Sequence, residues 1–81
     1  MPSYESILAR VICLVSRRIP DRPLRDTTAY LADLLLDSIT ALELVTEIED
    51  EFGIVIPLRE LPNLRTLGDT ARRLQQVMGD R

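Results

Sequence analysis

The sequence has no histidine, no lysine and no tryptophan, and a single cysteine, Cys13, among its 81 residues. Each absence removes a class of chemistry. Without histidine neither a Ser-His nor a Cys-His couple can be assembled. With one cysteine and no histidine a zinc centre lacks ligands, and an internal disulfide is impossible. Without lysine there is no amine for a Schiff base. Paired carboxylates could still do acid–base work, but a chain of this length supports one modest core and little room for a deep cleft. The inventory therefore disfavours an independent enzyme. No run of about eighteen apolar residues occurs, so no segment is suited to span a bilayer. The start "MPSYES" has no basic stretch, and Arg10 breaks the apolar run that follows, so no secretory leader is read there. The expected compartment is the cytoplasm. Nothing in the composition would activate Cys13, which is expected as a small buried or half-buried helix residue.

Scarcity also shapes the core. There are three glycines, one phenylalanine and two tyrosines, yet 46% of the residues are hydrophobic. That fraction suits a folded chain, and the core must be built from Leu, Ile and Val. The length reads as one domain, residues 1–81.

What is present in excess is charge of both signs, unevenly placed. All ten basic residues are arginines, set against thirteen acids for a net charge of −3. Six of those acids, Asp37, Glu43, Glu47, Glu49, Asp50 and Glu51, fall in a stretch that contains no base. The rest of the chain is mildly basic. An anionic helix argues against nucleic acid as its partner and for a positively charged protein.

Periodicity predicts helices. Tyr4, Ile7, Leu8, Val11, Ile12 and Val15 recur at helical spacing in a first helix expected from Ser3 to about Arg18, with Ser3 as N-cap. Residues 19–36 hold Pro20, Pro23 and the polar "RDTT" and read as a long connection, anchored by Leu24, Tyr30, Leu31 and Leu34. "YLADL" could form a helical turn. A second helix is expected from Ser38 to Phe52, with Gly53 as its C-terminal cap. "IVIP" reads as an extended exit and "LRELPNL" as a short helical turn interrupted at Pro62. A last helix is expected from Leu67 to Met78, opened by a capping box of Thr66 and Asp69, with Leu67, Thr70 or Ala71, Leu74, Val77 and Met78 as its core stripe. Short aliphatic helices bury such stripes by packing together, so the fold class is all-α, a four-helix bundle with a long first loop and a short third helix.

On a helical wheel with Ile39 at zero, Leu44, Ile48, Ala41, Phe52 and Val45 occupy a sector from about 140° to 240°. That sector is the core face. Leu42 and Ile39 fall outside it, and Asp50, Glu43 and Glu47 stand at about 20°, 40° and 80°, with Thr46 between the two sides. Two readings are open. Leu42 touches the core while Ile39 packs on the loop, or the two aliphatics and the acids beside them form a docking patch. The glutamates repeat at i,i+4, which by itself mildly destabilises the helix. Ser38 is similarly open: a plain N-cap, or, because a helix N-terminus favours an anion, a place to carry a phosphodiester.

The residues "DLLLDSITALELVTEIEDEFGIVIP" resemble the signature of acyl carrier proteins: an Asp-Ser-aliphatic triplet opening a helix, then Glu-Leu-Val, then acids leading to Phe-Gly and an Ile-Pro exit. "YLADL" and "LRTLGDTARRL" resemble the family's flanking loop and closing helix, so the likeness extends from about Tyr4 to Met78. It implies a 4'-phosphopantetheine arm from coenzyme A, attached to Ser38 by a phosphopantetheinyl transferase, with Asp37 presenting the serine. It implies acyl groups held as thioesters, and no catalysis by the carrier itself. It also implies a recognition surface of Ile39, Leu42, Glu43, Thr46, Glu47 and Asp50 for ketosynthases, acyltransferases or ligases with basic docking surfaces. No nucleic acid, membrane or metal enters this picture, and the carrier is expected as a monomer. Departures from the pattern are Leu35 and Leu36 where glycine and a small residue are usual, Thr40 in place of an acid, and Arg59 and Arg65 after Ile-Pro. These incline the reading from housekeeping fatty acid synthesis toward polyketide or other specialised acyl metabolism. The alternatives are an aminoacyl or peptidyl carrier and a helical adaptor that carries no arm.

Overall fold

The structure is a computed structural model describing residues 3–34 and 37–79. The elements are α1 (Tyr4–Ser16), α2 (Ser38–Phe52), a 3-10 helix (Leu58–Asn63) and α3 (Leu67–Gly79). This is the expected all-α bundle with a short third helix. The boundaries follow from local chemistry. Ser3 accepts the Ser6 N–H through its side chain to start α1. Gly53, at φ 65°, stops α2 in the left-handed conformation that glycine adopts without a Cβ penalty. Thr66 and Asp69 form the reciprocal capping box: the Asp69 N–H reaches Thr66 Oγ1 at 3.0 Å and the Thr66 N–H reaches Asp69 Oδ2 at 3.2 Å. Pro62 lies inside the 3-10 helix, whose short span has few hydrogen bonds for a missing N–H to interrupt.

α1 is the central strut, packing against α3 and, less extensively, α2. The core is aliphatic: Ile7, Val11, Leu14 and Val15 from α1 meet Leu44, Val45 and Ile48 from α2 and Leu67, Ala71 and Leu74 from α3. Ile54 and Ile56 turn inward from the exit of α2 while Val55 points out, the alternation of extended chain. Glu49 ties that exit down by accepting the Ile56 N–H.

The long loop is pinned to the start of α3. The Gly68 N–H donates to Asp26 O at 2.8 Å, the Leu67 N–H to Thr28 O at 3.0 Å and the Tyr30 N–H to Arg65 O at 3.3 Å. Gly68 permits this approach, because a Cβ there would stand 2.9 Å from Asp26 O and from Tyr4 Oη. Tyr30 is buried and shares a 2.7 Å hydrogen bond with Thr70 Oγ1; burial pushes its phenol up to about 12. "YLADL" does make a turn, closed by Asp33 and Leu34 N–H groups on Ala29 O.

Two expectations are corrected. Leu31, read as a loop anchor, is 57% exposed, because Tyr30 and Leu34 already fill the space under the turn. Cys13 is exposed and not half-buried. With Val11 at zero it stands at about 200° on the α1 wheel, opposite the buried Ile7, Leu14 and Val15. Leu35 and Leu36 lie outside the described residues.

Candidate functional site

The start of α2 is built by Asp37. Its side chain accepts the Thr40 N–H at 2.7 Å while its carbonyl accepts Ala41 N–H at 3.0 Å. Its extended backbone (φ −78°, ψ 172°) is the geometry of an N-cap. Ser38 is therefore the first helical residue and not the cap. This corrects the plain-cap reading: an aspartate is as good a cap as a serine, so helix initiation does not require a serine at 38. The bonds from the Thr40 backbone hold the Asp37 carboxyl below its usual range, and the group stays ionised at neutral pH.

The described residues on either side of position 38 are exposed. Asp37 is exposed and Ile39 is 69% exposed. Backbone N–H groups and the positive end of the helix dipole favour an anion in this first turn. A phosphodiester at such a helix end needs no buried cavity. The Asp37 charge beside it is unfavourable, and water contact weakens that repulsion.

The outer surface of α2 divides in two, which a single-helix wheel does not reveal. Glu43, Glu47 and Glu51 run along the edge next to α1 and are met by Arg10 of α1 and by Arg18 just past its end. Arg18 reaches Glu47 at 2.6 Å and Glu43 at 3.4 Å, and Arg10 pairs with Glu51. These cross-links run antiparallel, residue 10 to 51 and residue 18 to 43 and 47, and they offset the crowding of like charges at i,i+4. Ile39, Leu42, Thr46 and Asp50 lie together on the remaining outward sector of about 80°. All four are exposed, Leu42 by 40%. Ile39 thus presents most of its side chain to solvent and Leu42 a smaller part. Sequence reasoning singled out all six residues of the patch but missed Arg18 and Arg10. The sequence shows only that both arginines lie outside the apolar stripe of the first helix; that they face α2 depends on how the two helices pack.

Cys13 has no part in this site. No helix among the described residues is long and apolar enough to cross a membrane.

Comparison with known proteins agrees with this geometry. Residues 6–74 match the family described as "Phosphopantetheine attachment site". An acyl carrier protein of Kineococcus radiotolerans is 28% identical over 98% of this chain and all of its own length. The meromycolate extension acyl carrier protein of Mycolicibacterium aurum is 35% identical over 60% of this chain. That match spans 50% of the relative, so the chain accounts for about half the length of such proteins. A solved structure of a candidate acyl carrier protein from Mycobacterium tuberculosis superposes with a TM-score of 0.77 at 30% identity, covering 85% of this chain and 95% of that one. The chain belongs to the acyl carrier protein family, whose members carry a covalently attached 4'-phosphopantetheine group.

Proposed function

We propose that Ser38 bears the phosphopantetheine arm and that the protein is a non-catalytic carrier of acyl thioesters. The observation that carries this reading is the Asp37-capped start of α2, with position 38 in its first turn and an exposed residue on either side. A phosphopantetheinyl transferase would join the Ser38 hydroxyl to the pantetheine-bearing phosphate of coenzyme A. The serine O–P bond forms, the pyrophosphate P–O bond breaks, 3',5'-ADP leaves and the serine proton passes to the transferase. Asp37 fixes the backbone that presents the serine. The thiol of the bound arm supplies the thioester chemistry. This chain supplies the handle: Ile39, Leu42, Thr46 and Asp50 form its outward face, with Glu43 and Glu47 beside them. The partners are the transferase and ketosynthases, acyltransferases or ligases that present apolar and cationic groups to this face.

Two pathways fit a carrier of this kind. The name "meromycolate extension acyl carrier protein" among the relatives supports fatty-acyl elongation. The departures at Thr40, Arg59 and Arg65 support a specialised acyl or polyketide pathway. Fatty-acyl elongation is the better supported of the two, since it rests on named relatives. A cytoplasmic monomer remains the working picture of how the carrier meets its enzymes.

The test is loading. After conversion with coenzyme A, the protein is offered acyl donors and amino acid donors with their cognate loading enzymes, and intact mass is followed before and after hydroxylamine. Acyl adducts that hydroxylamine removes are expected. Amino acid adducts alone would favour the aminoacyl or peptidyl carrier, and no arm at all would favour the adaptor.

A further inference from the structure

Three of the five acids on α2, Glu43, Glu47 and Glu51, already form ion pairs inside the molecule. Arg18, just past the end of α1, spans Glu43 and Glu47, and Arg10 holds Glu51. Glu43, Glu47 and Arg18 are all solvent-accessible, with side-chain exposures of 56%, 40% and 31%. An incoming cation can therefore reach the glutamates, but it must compete with Arg18 for the same oxygens. Asp50 has no ion pair among the described residues, and Ile39 and Leu42 stand exposed beside it.

We propose that Arg18 is an intramolecular competitor for the docking enzyme's cations, and so a determinant of which enzymes this carrier accepts. The inference rests on the reading that α2 is the docking helix. With Arg18 in place the helix offers an apolar centre of Ile39 and Leu42, one free acid at Asp50 and two glutamates at reduced effective charge. The partner this surface fits buries aliphatic side chains and places few cations opposite Glu43 and Glu47. A strongly basic docking surface gains less from this carrier than from one whose glutamates are unpaired. Exposed ion pairs are weak, so the competition modulates affinity and does not block binding. It also makes docking less salt-dependent, because the net charge that salt would screen is already lowered.

The experiment is the kcat/KM of pantetheinylation by a broad-specificity transferase with a basic docking surface, using coenzyme A, at low and high salt. The substrates are the wild type, Arg18→Gln, Arg25→Gln, the pair Glu43→Gln with Glu47→Gln, and that pair combined with Arg18→Gln. Arg25→Gln removes the same formal charge from the long loop and leaves the α1–α2 ion pairs intact. Thermal melts confirm that each variant is folded at the assay temperature. R18Q is expected to raise kcat/KM roughly two- to fivefold at low salt, to steepen the salt dependence, and to lose its gain in the doubly neutralised background. The proposal fails, with the docking reading intact, if the glutamate pair matters but R18Q matches R25Q or slows the reaction. If neutralising the glutamates changes nothing, the docking reading itself falls and this inference falls with it.

Discussion

The two long helices on either side of the 3-10 turn begin with the same device and end up with opposite surroundings. α3 starts behind Thr66, α2 behind Asp37, and each cap accepts a backbone N–H of its own first turn. At α3 the long loop is then laid across that turn: Asp26 O and Thr28 O take the N–H groups of Gly68 and Leu67, and Leu67, Gly68 and Thr70 are buried. At α2 Asp37 and Ile39 are exposed on either side of Ser38. A helix end whose polar groups are consumed by the protein's own chain is a structural joint. One that is capped while the described residues beside it stay exposed keeps its dipole for another molecule. Placement of the loop, more than capping, separates the two.

The sharpest way to break this comparison is to truncate the aliphatic residue in each first turn. Leu67→Ala, fully buried, should cost about 2–5 kcal/mol in urea denaturation. Ile39→Ala, 69% exposed, should cost under about 0.5 kcal/mol while slowing pantetheinyl transfer. Comparable losses of stability at both positions would mean that the α2 end is structural too.

Next in size is Gly68→Ala. The added Cβ would meet the Asp26 carbonyl and the Tyr4 hydroxyl at 2.9 Å, so the loop must lift from α3 at a cost of about 1–3 kcal/mol. Faster amide exchange at Gly68 and Leu67, with exchange in α2 unchanged, would show that the loop seals only α3.

The smallest expected effect concerns Asp37. Its carboxyl titrates below the usual range because the ionised form accepts the Thr40 N–H. The unfolded chain therefore binds the proton more readily than the folded one. The contribution of this cap is present above the ordinary carboxylate pKa and fades as pH falls through the lowered folded value. Asp37→Asn, which keeps the capping geometry without the charge, should flatten that part of the Tm-versus-pH curve. An unchanged slope would assign the acid sensitivity to other carboxylates.

Much of this was legible because the governing signals are local. Gly53 ends α2 and Thr66 with Asp69 opens α3 through contacts a few residues apart, so the sequence alone places them. The core face of α2 is also local, a matter of angle on one helix. A wheel drawn for α1 as well would have put Cys13 on the solvent side. The pairing of Arg18 with Glu43 and Glu47 was not legible, because it joins residues 25 and 29 apart and depends on how α1 lies against α2. Leu31 failed for a related reason: a loop has no period to say which apolar residue turns inward. The identity of the α2 cap was ambiguous by one residue. Asp and Ser cap about equally well, and only the backbone angles of Asp37 decide it.

The account turns on position 38, and the most direct test is to map the modification. Wild-type protein and Ser38→Ala, both shown folded by circular dichroism, are incubated with coenzyme A and a broad-specificity phosphopantetheinyl transferase and analysed by intact-mass and peptide mass spectrometry. The prediction is one phosphopantetheine per wild-type chain, localised to Ser38, and none on the alanine variant. An arm on any other residue, or a folded wild-type chain that takes none, would contradict it.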